Sequence, residues 1–117
     1  MGFNNALGRF GEDVAAAHLT ELGWAILDRN WRRSFGELDI VAREDDTVVF
    51  VEVKTRSSVR FGLPSEAITY EKAGRLRTLA LHWLGERRVA APLVRFDVVS
   101  VLRTEDGPQI DHLRGAF

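Results

Sequence analysis

The chain has 117 residues, of which 45% are hydrophobic and 28% charged, values typical of one folded domain, here residues 1–117, rather than of a disordered chain. The formal net charge of −1 gives no sign of a strongly basic nucleic-acid-binding protein, and the absence of cysteine excludes disulfides, thiolate catalysis and cysteine zinc sites. No apolar run approaches the ~20 residues that span a bilayer, and the N-terminus lacks a signal-peptide pattern, so we expect a cytoplasmic protein that does not contact a membrane.

The first predicted element is a helix that starts at Asn4 or Asn5, either of which can cap it, and ends near Leu22, with Gly23 as its stop. Its apolar stripe at helical spacing consists of Leu7, Phe10, Val14, Ala17 and Leu22. Glu12 lies beside this stripe among small residues. It is either a surface glutamate favoured by the helix dipole or an acid that reaches inward to a site.

A strand over residues 24–31 comes next, and a bend at 34–36 leads into a predicted β-hairpin over Gly36–Arg56. An acidic turn at Asp45-Asp46 joins its two strands. Apart from a few charged positions, both faces of the hairpin are apolar, which is typical of strands that are covered on both sides.

The predicted register of the hairpin brings four charged side chains onto one face. With the turn at its expected position, Asp39 lies opposite Glu52, and Glu37 lies opposite Lys54. Opposed Cβ atoms are roughly 4.5–5.5 Å apart, so two facing carboxylates repel unless a cation lies between them. On strands covered twice these charges are not simply solvated, and the pattern therefore favours a divalent metal site.

The remaining predicted elements are a loop over residues 57–65, a helix over Tyr70–Arg87 capped by Thr69, a strand over 93–102 and a short final strand or tail over 109–117. The loop is either a substrate-contacting segment or a plain connector. Because a helix joins them, the strand over 93–102 should run parallel to the second hairpin strand. The core-facing residues of the second helix should be Ala73, Leu76, Ala80, Trp83 and Leu84.

Asp39 followed by Glu52-Val53-Lys54 fits the D…E-x-K core of metal-dependent nucleases. Carboxylate oxygens suit Mg²⁺ or Mn²⁺, which polarise a phosphate and lower the pKa of a bound water. Lys54 shares a strand face with Glu52, where its ammonium can orient that water or stabilise developing negative charge. Since an acidic site repels DNA, basic residues around it would have to hold the backbone.

A series of short motifs runs through nearly the whole chain: Gly11-Glu12-Asp13, Arg29-Asn30-Trp31-Arg32, Gly36-Glu37-Leu38-Asp39, Phe50-Val51-Glu52-Val53-Lys54-Thr55-Arg56, Phe61-Gly62, Glu66-Ala67, Lys72 and Phe96-Asp97-Val98-Val99. They resemble the YraN family of small, mostly uncharacterised bacterial proteins. The resemblance implies an α/β fold with a restriction-endonuclease-like core, in which helices flank a mixed central sheet in the order αβββαβ. It also implies a nuclease similar to archaeal Holliday junction resolvases.

We therefore expect a Mg²⁺- or Mn²⁺-dependent endonuclease that hydrolyses DNA, branched DNA included. Asp39, Glu52 and Lys54 would be catalytic. The metal ligands would be Asp39, Glu52 and also Glu12, which matches the acid of the first helix in the family. The predicted nucleic-acid-binding residues are Arg32, Arg56, Lys72 and Arg75.

Two other functions stay open on the sequence: a non-catalytic nucleic-acid-binding module that keeps the fold, and a structural adaptor within a larger complex. A junction-resolving enzyme needs two active sites, which would make the protein a homodimer. His18, His82 and His112 have no metal-ligand spacing, and we expect them to be surface or helix residues.

Overall fold

The structure is a computed structural model, and it describes residues 2–57, 68–90 and 93–117. The predicted loop over 57–65 lies, apart from Ser57, outside the described residues. The elements are α1 (Gly2–Glu21), β1 (Ala25–Arg33), β2 (Gly36–Glu44), β3 (Thr47–Arg56), α2 (Tyr70–Arg87), β4 (Leu93–Thr104) and β5 (Gly107–Leu113).

The five strands form one mixed sheet in the order β1-β2-β3-β4-β5. Strands β3 and β4 are parallel, as the intervening helix predicts, and the other neighbours are antiparallel. The hairpin turn lies at Asp45-Asp46, with Asp45 at φ 52°. The predicted final strand is present as β5, although it begins two residues earlier and ends at Leu113. This sheet and its two helices confirm the α/β class and agree with a restriction-endonuclease-like core.

Helix α1 packs on one face of the sheet, and its N-terminal start differs from the prediction. It begins at Gly2, so Asn4 and Asn5 lie inside the helix and do not cap it. Its end matches the prediction, because Gly23 follows with φ 90°, a conformation that glycine adopts without strain.

The buried face of α1 also differs from the predicted stripe. Ala15, Ala16 and Leu19 are buried against the sheet, whereas Ala17 and Leu22 are exposed. Phe10 and Val14 of the predicted stripe still pack against this core, partly buried, so the prediction is confirmed in part and the helix is rotated from its predicted orientation. This rotation matters for the site, because it turns Glu12 toward the sheet.

Helix α2 covers the opposite face and confirms its predicted bounds, cap and core residues. The Thr69 hydroxyl accepts the Lys72 N–H at 3.2 Å, and Arg88 ends the helix in the left-handed conformation. Trp83 is buried among residues of β1, β2 and β3, including Trp31 and Phe50. The two faces of the sheet are thus both covered. None of the helices in the described part is long and apolar enough to cross a membrane.

Candidate active site

Strands β2 and β3 separate where the predicted acidic residues lie. Their antiparallel pairing keeps the predicted register from the turn up to Ile40–Val51 and ends there. Beyond that pair β2 stays with β1, and β3 stays with β4. Asp39 and Glu52 are the first residues past the end of the ladder, on neighbouring strands that diverge.

The predicted pairs Asp39–Glu52 and Glu37–Lys54 are therefore not part of the ladder, which corrects the sequence-based register at its open end. Here β2 stays paired with β1, and β3 stays paired with β4. A side chain of β2 accepts a backbone N–H of β3 that the ladder between them no longer uses. The Val53 N–H donates to Asp39 Oδ2 at 2.9 Å. The divergence opens a space beside Asp39 instead of closing it with strand hydrogen bonds.

The surroundings of Asp39 disfavour the negative charge of its carboxylate, and a hydrogen bond offsets that effect only in part. Burial and, after it, the neighbouring Glu52 carboxylate raise the pKa of Asp39 to about 8, against the opposing effect of the Val53 N–H. The carboxylates of Glu12 and Glu37 act in the same direction as Glu52. A negative charge on Asp39 is therefore costly unless a cation comes close to it.

Glu52 is nearly buried and has a cationic partner from α2. Its side chain is 11% exposed, and Lys72 Nζ lies 2.6 Å from Glu52 Oε2. Lys72 lies in the first turn of that helix, where the Thr69 cap holds its backbone. The side chain that was predicted to contact phosphate is thus directed at a predicted metal ligand.

Glu12 approaches the same region from α1, and two residues of β1 hold it. Asn30 Nδ2 donates to Glu12 Oε1 at 2.7 Å, and Arg29 Nη2 lies 3.4 Å from the same oxygen. The Glu12 side chain is 13% exposed. Asn30 has φ 52°, a left-handed conformation that asparagine tolerates better than most residues. Glu12 is therefore an oriented carboxylate and not a solvated surface glutamate.

Gly11 allows α1 to come close enough for this. A Cβ atom built on Gly11 would lie 1.8 Å from Thr55 Oγ1 and 2.7 Å from Thr55 Cγ2 on β3. No real side chain fits there, so the contact between helix and strand requires glycine at this position. Gly11 thus lets α1 approach β3 closely, and the next residue, Glu12, places a carboxylate near that contact.

A cleft of about 310 Å³ lies between β2 and the N-terminal half of α2. Its charged lining combines the acids Asp39, Glu52 and Glu37 with the bases Lys72 and Arg75, and its apolar lining consists of Phe35, Leu76 and Leu79 together with Gly36. Arg32 is bound to the rim through Glu37, at 3.7 Å between Arg32 Nε and Glu37 Oε2.

Lys54 and Arg56 occupy β3 beyond Glu52, and both are partly buried. Lys54 lies two residues from Glu52 and hence on the same strand face, as predicted. Among the described residues, neither side chain lines the cleft. The structure thus brings Asp39, Glu52, Lys72 and Arg75 together in one cleft, with Lys54 and Arg56 farther along β3.

The three predicted metal ligands are not gathered into one preformed set. Within residues 2–57, 68–90 and 93–117 there is no group of three or more His, Asp or Glu side chains already arranged to hold a metal ion. Glu12 is directed to Asn30, and Glu52 to Lys72. Of these three acids, Asp39 and Glu52 line the cleft and Glu12 does not.

The sequence pattern indicates no role for Asn30, although one of the YraN-like motifs contains it. Only the fold shows that Asn30 reaches Glu12 across 18 positions of sequence. A positive φ at a non-glycine residue inside a strand cannot be deduced from the hydrophobic pattern. Glu37, another residue without a predicted role, lines the cleft.

A second polar cluster, which sequence reasoning missed, surrounds Asp97 on β4. Its carboxylate is fully buried and accepts hydrogen bonds from Arg95, His112 and the Gly115 N–H. His112 Nδ1 lies 3.0 Å from His18 Nε2. The expectation of a surface residue is therefore wrong for His112, whose side chain is 10% exposed. His82 is exposed on α2, as expected.

Comparison with known proteins places the chain in one family. Residues 11–101 match the model of the Uncharacterised protein family UPF0102. A UPF0102 protein of Frankia alni is 56% identical over 118 residues, covering 100% of this chain and 98% of that protein. UPF0102 proteins of Frankia casuarinae and Rhodococcus opacus are 54% and 51% identical, and in each case both chains are covered completely.

These matches extend over the whole chain and far exceed the identity at which common descent is in doubt. They also confirm the resemblance that the short motifs indicated. The names of these relatives state no activity. The chain belongs to the UPF0102 family, which is the YraN family.

Proposed function

We propose that the protein is a divalent-metal-dependent endonuclease that acts on DNA. The observation that carries this proposal is the placement of Asp39 and Glu52 at the diverging ends of β2 and β3, inside a cleft that also holds basic residues. Two carboxylates in a partly buried position cost stability, as the raised pKa of Asp39 indicates. A divalent cation bound to both would offset that cost.

The donor chemistry of the cleft fits Mg²⁺ or Mn²⁺. Both ions prefer oxygen ligands, and Mg²⁺ commonly uses one or two carboxylates together with water and substrate phosphate. Asp39 and Glu52 would hold the ion, and Glu12 would add a third carboxylate from α1. When bound, the ion would polarise the scissile phosphate and supply a water of lowered pKa.

The remaining groups have roles that follow from their charge and position. Lys54, on the same face of β3 as Glu52, would stabilise negative charge that develops on the phosphate. Arg75, which lines the cleft, would bind the DNA backbone and offset the repulsion from the acids. Arg32, Arg56 and Lys72 would extend the basic surface beside it.

A non-catalytic nucleic-acid-binding module is the second candidate. The observation that favours it is the absence of a preformed three-ligand metal set in the part of the chain that the structure describes. Such a module would bind DNA in a salt-sensitive manner without any need for metal. Asp39→Asn would then leave its DNA affinity unchanged.

The test is a cleavage panel of duplex, single-stranded, flap and four-way-junction DNA with Mg²⁺ and with Mn²⁺, together with Mn²⁺ titration by calorimetry. We expect one of these DNAs to be cleaved by the natural protein, with activity lost in Asp39→Asn and in Lys54→Met. The matched control is Glu105→Gln, which neutralises an exposed carboxylate in the turn between β4 and β5.

Two results would overturn the nuclease proposal. One is cleavage that persists in both Asp39→Asn and Lys54→Met. The other is Mn²⁺ affinity that does not change when Asp39 or Glu52 is neutralised. Cleavage of four-way junctions would further imply two copies of the chain acting together, which sedimentation of the protein–DNA complex would show.

A further inference from the structure

Lys72 lies where helix electrostatics do not favour a cation. It is in the first turn of α2, and positive charge there opposes the helix dipole. Its ammonium nevertheless lies 2.6 Å from Glu52, a carboxylate that is only 11% exposed. The position of Lys72 is therefore explained by Glu52 and not by helix stability.

The ion pair is not needed to hold α2 in place. Thr69 caps the helix by accepting the Lys72 N–H, and Ala73 and Leu76 bury its first turns against the sheet. The Lys72 side chain is 41% exposed, so solvent screens its pairing with Glu52 and limits what the pair contributes to folding. Its main effect is local, since it neutralises one of the acids beside Asp39.

We propose that Lys72 is a displaceable internal counter-ion of Glu52, which competes with a divalent cation for that carboxylate. This inference rests on the proposed function, because it takes Glu52 to be a metal ligand. When Lys72 is bound to Glu52, it offsets part of the repulsion among the acids in the cleft. A cation that takes the Glu52 oxygen must release the Lys72 ammonium.

The released ammonium becomes available to phosphate. Lys72 and Arg75 line the same cleft, one turn apart on α2. A phosphate that draws Lys72 away leaves Glu52 free for the cation, and a cation at Glu52 leaves Lys72 free for the phosphate. Metal and DNA should therefore tighten each other's binding by the same factor, as thermodynamic linkage requires.

The first test is Mn²⁺ titration by calorimetry of the natural protein, Lys72→Met and Arg75→Met. Lys72→Met removes the competing charge and keeps an aliphatic chain, so we expect Mn²⁺ to bind about tenfold more tightly. Arg75→Met is the matched control, because it removes a cation from the same cleft without breaking the pair with Glu52. Its Mn²⁺ affinity should rise clearly less than that of Lys72→Met.

The second test measures the coupling between metal and DNA. Fluorescence anisotropy with a labelled duplex oligonucleotide is recorded with and without Ca²⁺, an oxygen-binding ion, and gel analysis verifies that the DNA stays intact. In the natural protein we expect Ca²⁺ to tighten DNA binding about tenfold. In Lys72→Met this factor should be smaller, because only direct contact of the ion with phosphate then couples the two ligands, whereas Arg75→Met should weaken DNA binding and keep the factor.

The outcomes separate this inference from the proposed function. If the natural protein binds Mn²⁺ through Asp39 and Glu52 but Lys72→Met binds it no more tightly, the counter-ion role is overturned and the metal site stands. If no variant binds Mn²⁺, both are overturned. Thermal unfolding of each variant shows whether a lost affinity merely reflects a misfolded helix, and Lys72→Gln then repeats the test with a polar side chain.

Discussion

Two buried aspartates in one sheet, Asp39 on β2 and Asp97 on β4, have opposite electrostatic surroundings. Asp97 is fully buried, yet hydrogen bonds from His112, Arg95 and the Gly115 N–H overcome its burial and lower its pKa to about 2. At Asp39, burial and the neighbouring carboxylates outweigh the one backbone donor, and the pKa rises to about 8. The fold itself compensates the charge of Asp97, whereas the proposed function leaves the charge of Asp39 for a metal ion to compensate.

The largest loss of stability is expected when Asp97 is substituted. Asp97→Ala removes the acceptor of His112, of the Gly115 N–H and of two Arg95 nitrogens, and leaves Arg95 with Glu44 alone. Breaking a buried pair of this kind costs about 3–5 kcal/mol in the free energy of unfolding. Urea denaturation at neutral pH measures it. A loss below about 1 kcal/mol would mean that the network is not a structural centre.

The loss of stability in Asp97→Ala should become smaller as the pH falls. Because the folded-state pKa of Asp97 lies below its unfolded value, the stabilisation is fully present above about pH 4 and disappears as the pH falls toward 2. The difference in stability between the natural protein and Asp97→Ala should therefore narrow across that window. A difference that stays constant down to pH 2 would assign the effect to packing.

A smaller effect is expected where α1 meets β3. Gly11→Ala places a methyl group within 1.8 Å of Thr55 Oγ1, so the helix must move away, and the free energy of unfolding should fall by about 2 kcal/mol. Mn²⁺ affinity should fall as well, because Glu12 moves with the helix. Urea denaturation and calorimetry measure the two losses.

The control for this prediction is the partner side chain. Adding Thr55→Ala to Gly11→Ala removes the two closest atoms and leaves Thr55 Cβ at 2.8 Å, so the double variant should recover part of both losses. Equal defects in the single and double variants would show that the close approach to Thr55 is not the reason for glycine at this position.

Asp39 should respond in the opposite direction to Asp97. Asp39→Asn keeps an oxygen that can accept the Val53 N–H but removes the ionisable group whose charged form burial and Glu52 disfavour. Without divalent cations, we expect the variant to be more stable than the natural protein by about 1–2 kcal/mol at neutral pH. Few substitutions in a sheet increase stability, so this gain would mark Asp39 as a residue kept for function.

The sign follows from the raised pKa of Asp39. Because the folded-state pKa of Asp39 lies above its unfolded value, the free energy of unfolding of the protein falls as the pH rises from about 4 to 8. The advantage of Asp39→Asn should thus be absent near pH 4, grow over that range and level off above pH 8. An advantage that is equal at all pH values, or a loss of stability at neutral pH, would contradict this account.

Local sequence patterns predict some features of the fold and of the site, whereas other features depend on contacts that no local pattern contains. The hairpin register from the turn to Ile40–Val51, the parallel crossover and the cap of α2 follow from local patterns, and the structure confirms them. The divergence past Ile40–Val51 depends on which neighbour each strand follows, and the rotation of α1 depends on contact with the sheet. The ion pair of Lys72 and the Asp97–His112 contact join residues distant in sequence, and no single-sequence pattern reports such pairs.

The smallest expected effect concerns Asn30, which orients Glu12 by a 2.7 Å hydrogen bond. Asn30→Gly keeps a residue that accepts φ 52° and removes only the side chain, so the free energy of unfolding should change by less than about 1 kcal/mol. Mn²⁺ affinity should nevertheless fall about tenfold, as is typical when the partner of a metal ligand is lost. If calorimetry shows unchanged Mn²⁺ affinity, Glu12 does not bind the metal, and its place beside Asp39 would then be explained by its contacts with Asn30 and Arg29.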